Sequence, residues 1–388
     1  MKLHIFNPEN DLALADGGAN YSPPPAALRI AYDLASLPLW FADRDNAVFL
    51  PDSVHAAYCA SHSAVFALAI PYSDSLKENI TAIRPWGWSP QMKRRLKAMG
   101  FADNLLPADE KISKLRELSN RKTAIHLLET LRERGTDTPD IPLYLTSPEN
   151  VAAFVESMPR SVVKAPWSGS GKGIMWGLGH VEVPLENFYK GIIKRQGGVV
   201  CERYLDSIQE FAMEFLASDE GVSFAGYSLF ESEKGGYSGN LLAPDARLEQ
   251  TLSQHIPLET IRNLRETLLD VLSSLLSGSG YNGYLGVDMM IYRDAVGKVR
   301  LNPCMEINLR MNMGVAARLI YDRHVLPGKR GHFSVKFHKK PGDALNEHVH
   351  NTAEYPAVFD SGRISSGYLP LSPVGPESRY MAYIVVDE

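Results

Sequence analysis

Short apolar runs bounded by turn residues, interleaved with stretches of helical period, set the frame of this chain. Leu3-His4-Ile5-Phe6 opens as a strand and runs into the polar loop Asn7-Pro8-Glu9-Asn10-Asp11. Ile112, Leu115, Leu118, Ile125, Leu128 and Leu131 recur at near-helical spacing and predict a long helix that breaks near Ser119-Asn120. Ser147 as N-cap and Pro148 in the first helical position start a helix over 148–157. Strand 161–165, the glycine-rich segment after it, strand 174–177 and the strands around 199–203 and 210–216 follow in order. Arg262 to Leu276 carries a leucine stripe and is closed by Gly278-Ser279-Gly280. Met289-Met290-Ile291-Tyr292, a turn over 293–298 and Val299-Arg300-Leu301 read as a β-hairpin. Phe333, Val335 and Phe337 alternate with His332, Ser334, Lys336 and His338, which reads as a strand with one cationic face: a solvated edge strand guarded by lysines, or a wall that receives an anionic substrate. The expected class is α/β in three regions, 1–110, 111–325 and a C-terminal extension over 326–388.

Composition narrows the classes further. The 388 residues suffice for two or three domains with their own cores. The chain is 45% hydrophobic and carries a formal net charge of −5, which argues against nucleic-acid binding through a basic surface. No apolar run approaches the roughly 18 residues of a membrane helix, and Ser61 to Pro71 reads as a core helix or strand. The N-terminus enters a strand directly, so no signal peptide is expected. Three cysteines without metal-type spacing fit reduced thiols in the cytoplasm. His348 and His350, on one strand-like face, lack a third ligand for a transition metal. A homo-oligomer stays open.

The chemistry gathers at three places. Side chains alternate along a strand, so Glu306, Asn308 and Arg310 project to one side, and hairpin pairing brings Asp288 opposite residues 303 to 306. Two carboxylates and an amide oxygen then converge beside an arginine, an oxygen-only set suited to Mg²⁺. Upstream, Lys164 ends an apolar strand and leads into Ser168, Gly169, Ser170, Gly171, Lys172 and Gly173, whose backbone N–H groups can cradle phosphate oxygens. Pro166 and Gly173 occupy the places where a Walker A loop needs Gly and Ser or Thr. Third, a strand ends at Glu202 and passes through Arg203, Tyr204 and Leu205 into the next strand, a crossing that can read an adenine edge and hold ribose hydroxyls. Asn7, Glu9, Asn10 and Asp11 either cap the next helix or touch a substrate, since ligands bind beyond the first strand of open sheets. The aromatic loop Arg84 to Pro90 is packing or a lid.

In that order, Lys164, glycine loop, Glu202 hinge, Asp288 and Glu306-x-Asn308-x-Arg310 resemble the ATP-grasp superfamily over about residues 110 to 320. The set is similar to biotin carboxylase and D-alanine–D-alanine ligase in sequence order. The resemblance implies an ATP-grasp fold: an N-terminal open α/β domain and two α+β subdomains clasping ATP. It implies that Lys164 contacts the nucleotide, Glu202 lies at adenine and ribose, Asp288, Glu306 and Asn308 hold Mg²⁺ (with Mn²⁺ as an alternative), and Arg310 stabilises the transferring phosphate. A further basic residue is Arg121 or Lys122, and Lys234 either faces the phosphates or pairs with its acidic neighbours. The activity implied is an ATP-dependent ligase that activates a substrate carboxylate for attack by an amine or similar nucleophile. A phosphotransferase using the same site, or a nucleotide-binding protein without turnover, are the alternatives. Small molecules, rather than nucleic acid or membrane, are the expected partners.

Overall fold

The computed structural model describes residues 1–169, 173–233 and 236–387. Buried Leu3 and Ile5 anchor β1 (Lys2–Ile5), from which α1 (Asn10–Asp16) and α2 (Pro25–Asp33) lead to β2 (Ala47–Val48). After α3 (Ser53–His62) come β3 (Ile70–Pro71), β4 (Ala82–Pro85) and α4 (Pro90–Ala98). These strands form a parallel sheet in the order β3-β2-β1-β4, the open α/β unit expected at the N-terminus. The apolar run after Ser61 is neither a core helix nor a core strand: α3 ends at His62 and β3 has only two residues. Phe66, Leu68 and Ala69 are buried by tertiary contacts such as Phe66 on Trp40, not by a local period.

The expected helix break is real, separating α5 (Asp109–Leu118) from α6 (Lys122–Glu133). An α+β unit follows: β5 (Leu143–Leu145), α7 (Pro148–Glu156), β6 (Ser161–Lys164), β7 (Ile174–Gly177), α8 (Val183–Gln196) and β8 (Val199–Arg203). Its sheet runs β5-β8-β6-β7, all antiparallel, and Ser147 caps α7 through the Asn150 N–H at 3.2 Å. Val151, Val155, Val163, Leu185, Tyr189 and Val199 form its core.

The chain then runs through β9 (Asp206–Ser218), β10 (Gly221–Ser228), β11 (Phe230–Glu233), β12 (Gly236–Leu242), α9 (Asp245–Leu252) and α10 (Leu258–Leu276). The helix α10 begins four residues before the leucine stripe, and it packs with α6 on the sheet β10-β9-β13-β14. The last two strands, β13 (Gly283–Arg293) and β14 (Val299–Asn308), are the expected hairpin.

After α11 (Met313–His324) come β15 (Gly331–Phe337), α12 (Asp343–Glu354), β16 (Val358–Asp360), β17 (Arg363–Pro370) and β18 (Tyr380–Val386). They complete an antiparallel sheet in the order β11-β12-β15-β18-β17-β16. Three expectations change here. The strand β15 is central, flanked by β12 and β18, and not a lysine-guarded edge. A line drawn at residue 325 runs through this sheet, because two of its strands lie upstream of it. His348 and His350 sit on a helix, and His348 Nδ1 pairs with the Tyr368 hydroxyl at 2.9 Å. Residues from both ends of the chain share one core: Leu34, Leu37 and Trp40 pack with Ile320, Phe333 and Ile384. Among the described residues, no helix is long and apolar enough to cross a membrane.

Candidate active site

The hairpin register builds the centre of the site. Pairing starts at Arg293 with Val299, shifts between Met290 and Asp288, and sets Asp288 opposite Glu306 and Gly286 opposite Asn308. A bulge of this kind re-aims side chains at functional edges. Val287, Met289 and Ile291 go into the core, so Asp288 faces the other side of the sheet. There the Asn308 amide donates to Asp288 Oδ2 at 3.0 Å, and Arg310 Nη2 donates to Asn308 Oδ1 at 3.0 Å.

Two further elements close on this face. The break between α5 and α6 places Arg121 under the glycine-rich loop, where it donates to the Ala165 carbonyl, to Ser168 Oγ at 2.6 Å and to Glu306 Oε2 at 2.7 Å. Lys122 instead lies over the Tyr144 ring at 3.7 Å. From β6, Lys164 pairs with Glu202 on β8 at 2.5 Å. The thiol of the buried Cys304, on the same strand as Glu306, is pushed up first by burial and then by Asp288 and Glu306. Gly169 lies against Asp11, whereas Ser170, Gly171, Lys172 and Lys234 lie outside the described residues. In the hinge, Arg203 pairs with Asp140 at 3.1 Å and Tyr204 stacks under Arg160 at 3.6 Å, so both side chains are engaged. Leu205 is half-buried between β8 and β9.

Electrostatics single out Asp288. Although part of its surface is accessible, protein surrounds it, and lost hydration followed by repulsion from Glu306 pushes its pKa up to about 7 against the pull of Asn308 and Arg310. Arg121 offsets only the Glu306 side of this pair, and two carboxylates with an amide oxygen fit the hard, oxygen-seeking Mg²⁺. Among the described residues, no group of three or more His, Cys, Asp or Glu comes together to hold a metal; the candidate set has two carboxylates and one amide.

Glu214 is a functional candidate that the sequence reading passed over. It is 1% exposed on β9, and burial, with Asp288 next, pushes its pKa up to about 8. Asn312, the N-cap of α11, donates to Glu214 Oε2 at 2.8 Å and accepts from the Val315 N–H at 2.8 Å. Its sequence signal was an acid interrupting the apolar run from Phe211 to Ala217.

The N-terminal loop supplies the other addition. Asp11 forms a two-pronged ion pair with Arg310, Nε to Oδ1 at 2.7 Å and Nη2 to Oδ2 at 2.6 Å. Asn7 holds Gly87 through its side chain, and Asn10 packs on the same glycine; Glu9 is the buried residue preceding α1 and makes no side-chain cap. The aromatic loop is packing: Trp86 is buried on Phe6 and accepts from the Met311 N–H at 2.9 Å, and Ser89 caps α4. A cleft lined by Asn10, Asp11, Trp167, Ser168, Glu306 and Arg310 results.

No protein-family profile matches the sequence, and no curated protein matches it. Solved structures do. Biotin carboxylase from Campylobacter jejuni, solved with β,γ-ATP, aligns over 100% of this chain and 87% of its own with a TM-score of 0.53 and 11% identity. N5-carboxyaminoimidazole synthase from Aspergillus clavatus, solved with ADP and 5-aminoimidazole ribonucleotide, aligns over 99% and 93% with a TM-score of 0.52 and 12% identity. The biotin carboxylase domain of 2-oxoglutarate carboxylase from Hydrogenobacter thermophilus, solved as a dimer with MgADP and bicarbonate, aligns over 99% and 85% with a TM-score of 0.51 and 13% identity. The fold is therefore the ATP-grasp fold.

Proposed function

We propose that this chain is an ATP- and Mg²⁺-dependent ligase that activates a substrate carboxylate as an acyl phosphate for attack by an amine or similar nucleophile. One observation carries the reading: Asp288, Glu306, Asn308, Arg310 and Arg121 converge from separate elements on one cleft beside the Lys164–Glu202 pair. Asp288, Glu306 and Asn308 would hold Mg²⁺, with Mn²⁺ as a substitute. Bound metal supplies positive charge that neutralises the nucleotide phosphates. Lys164 and the 202–205 hinge receive the nucleotide, and Arg310 and Arg121 supply fixed positive charge where the phosphoryl group moves. The carboxylate oxygen attacks the terminal phosphorus as the bond to ADP breaks. The amine nitrogen then attacks the acyl carbon, phosphate leaves with the C–O electron pair, and the nitrogen gives up a proton to the medium. The neighbours' ligands, a ribonucleotide amine in one and bicarbonate in another, support small-molecule substrates of these two classes. Three free, buried cysteines suit a reducing cytoplasm.

Calorimetric titration with a non-hydrolysable ATP analogue, with and without Mg²⁺, tests the site. Metal-dependent binding is expected, weakened by Glu306→Gln by about tenfold or more, as befits a lost charged contact. No binding under any condition would refute the nucleotide reading.

A further inference from the structure

Arg310 has five N–H donors, and four of them are engaged within the protein. Two grip Asp11, Nη2 also reaches Asn308 Oδ1 at 3.0 Å, and Nη1 reaches the Met311 carbonyl at 3.0 Å. An incoming phosphate cannot take the two-pronged edge of this guanidinium while Asp11 holds it. Asp11 is also pressed on the glycine-rich loop: a Cβ on Gly169 would lie 2.1 Å from Asp11 Oδ2. Its side chain is 20% exposed and that of Arg310 14%. A planar anion held by a guanidinium fork against glycine backbone has the surroundings that a phosphoryl group seeks.

We propose that Asp11 is an internal surrogate for the transferring phosphoryl group. It fills the terminal-phosphate place on Arg310 in the nucleotide-free protein and leaves that place when a nucleoside triphosphate binds. This rests on the nucleotide reading of the site. A diphosphate, lacking the terminal group, leaves Asp11 on Arg310, whereas a triphosphate has to displace it. Asp11 thus sets how strongly the protein distinguishes the two nucleotides, and it ties that choice to the N-terminal domain.

The test is calorimetry on the full chain with Mg²⁺ and either AMP-PNP or ADP, for wild type, Asp11→Asn and Asp11→Ser. Both variants remove the carboxylate charge but leave different residual hydrogen bonding, and their melting temperatures report whether they fold. AMP-PNP is expected to bind the variants about tenfold more tightly, as befits release of a competing charged contact, with ADP affinity little changed. An unchanged ratio of the two affinities, or weaker AMP-PNP binding, would overturn the role given to Asp11 while leaving the nucleotide site standing. Absence of binding by either nucleotide to wild type and variants alike would overturn the nucleotide reading and this inference with it.

Discussion

At the scale of single residues, the site is a set of paired charges, in which Asp288 and Glu214 are hydrogen-bonded, among the described residues, by amides and not by cations. Among the described residues Glu214 has one donor, Asn312, and no cation at hydrogen-bond distance, which favours the neutral acid. Its folded pKa of about 8 stands above the ordinary 4.5. Between these values the folded state holds a proton that the unfolded state has released. The stabilisation is therefore complete below the ordinary value and is lost as pH rises through about 8, at a slope of up to about 1.4 kcal/mol per pH unit. Asp288 acts in the same direction up to about 7. Glu214→Gln, which keeps a neutral hydrogen-bonding amide there, should flatten the fall in stability between pH 6 and pH 8, both values lying within the interval set by the group's pKa. Denaturant melts across that range check it; an unaltered slope would mean that Glu214 is already ionised. Glu214 escaped the sequence reading because its partner Asn312 lies 98 positions away.

At the scale of elements, the hairpin was legible and the C-terminal strand was not. Alternation and a turn with Gly297 at positive φ make β13 and β14 a local matter, and the residues opposite Asp288 followed from counting. Whether β15 lies at an edge or in the centre depends on β12 and β18, which join it from far upstream and downstream. Its central position has a steric signature. A Cβ on Gly331 would lie 2.2 Å from the Val385 carbonyl oxygen and 2.9 Å from Val386 Cα. Gly331→Ala is therefore expected to cost about 1–3 kcal/mol, because backbone on a central strand cannot yield as a side chain can. Thermal melting measures this, and a neutral result would place β15 at an edge.

At the scale of the molecule, the C-terminal strands hold the ends of the chain together. Trp40 donates its indole N–H to the Leu371 carbonyl at 3.0 Å and accepts from His324 Nε2 at 2.7 Å. Removal of residues 326–388 would strip four strands from the six-stranded sheet and uncover Leu37, Trp40 and Ile320, which pack with Phe333 and Ile384. A chain ending at residue 325 is expected to be insoluble or unfolded by circular dichroism. A cooperative melt from it would instead establish 326–388 as a separable extension.

Local chemistry was written in the sequence itself: Lys164 closing an apolar strand, glycines after it, and Glu306, Asn308 and Arg310 on alternate positions. Strand period and turn residues determine such features within a few residues, so one chain suffices to read them. What Arg310 touches was decided only by folding, because Asp11 reaches it across 299 positions. That Arg121 meets Ser168 and Glu306 while Lys122 lies over Tyr144 was likewise set by the helix break and the loop packed above it. Partners brought together by tertiary packing leave no periodic trace in the chain.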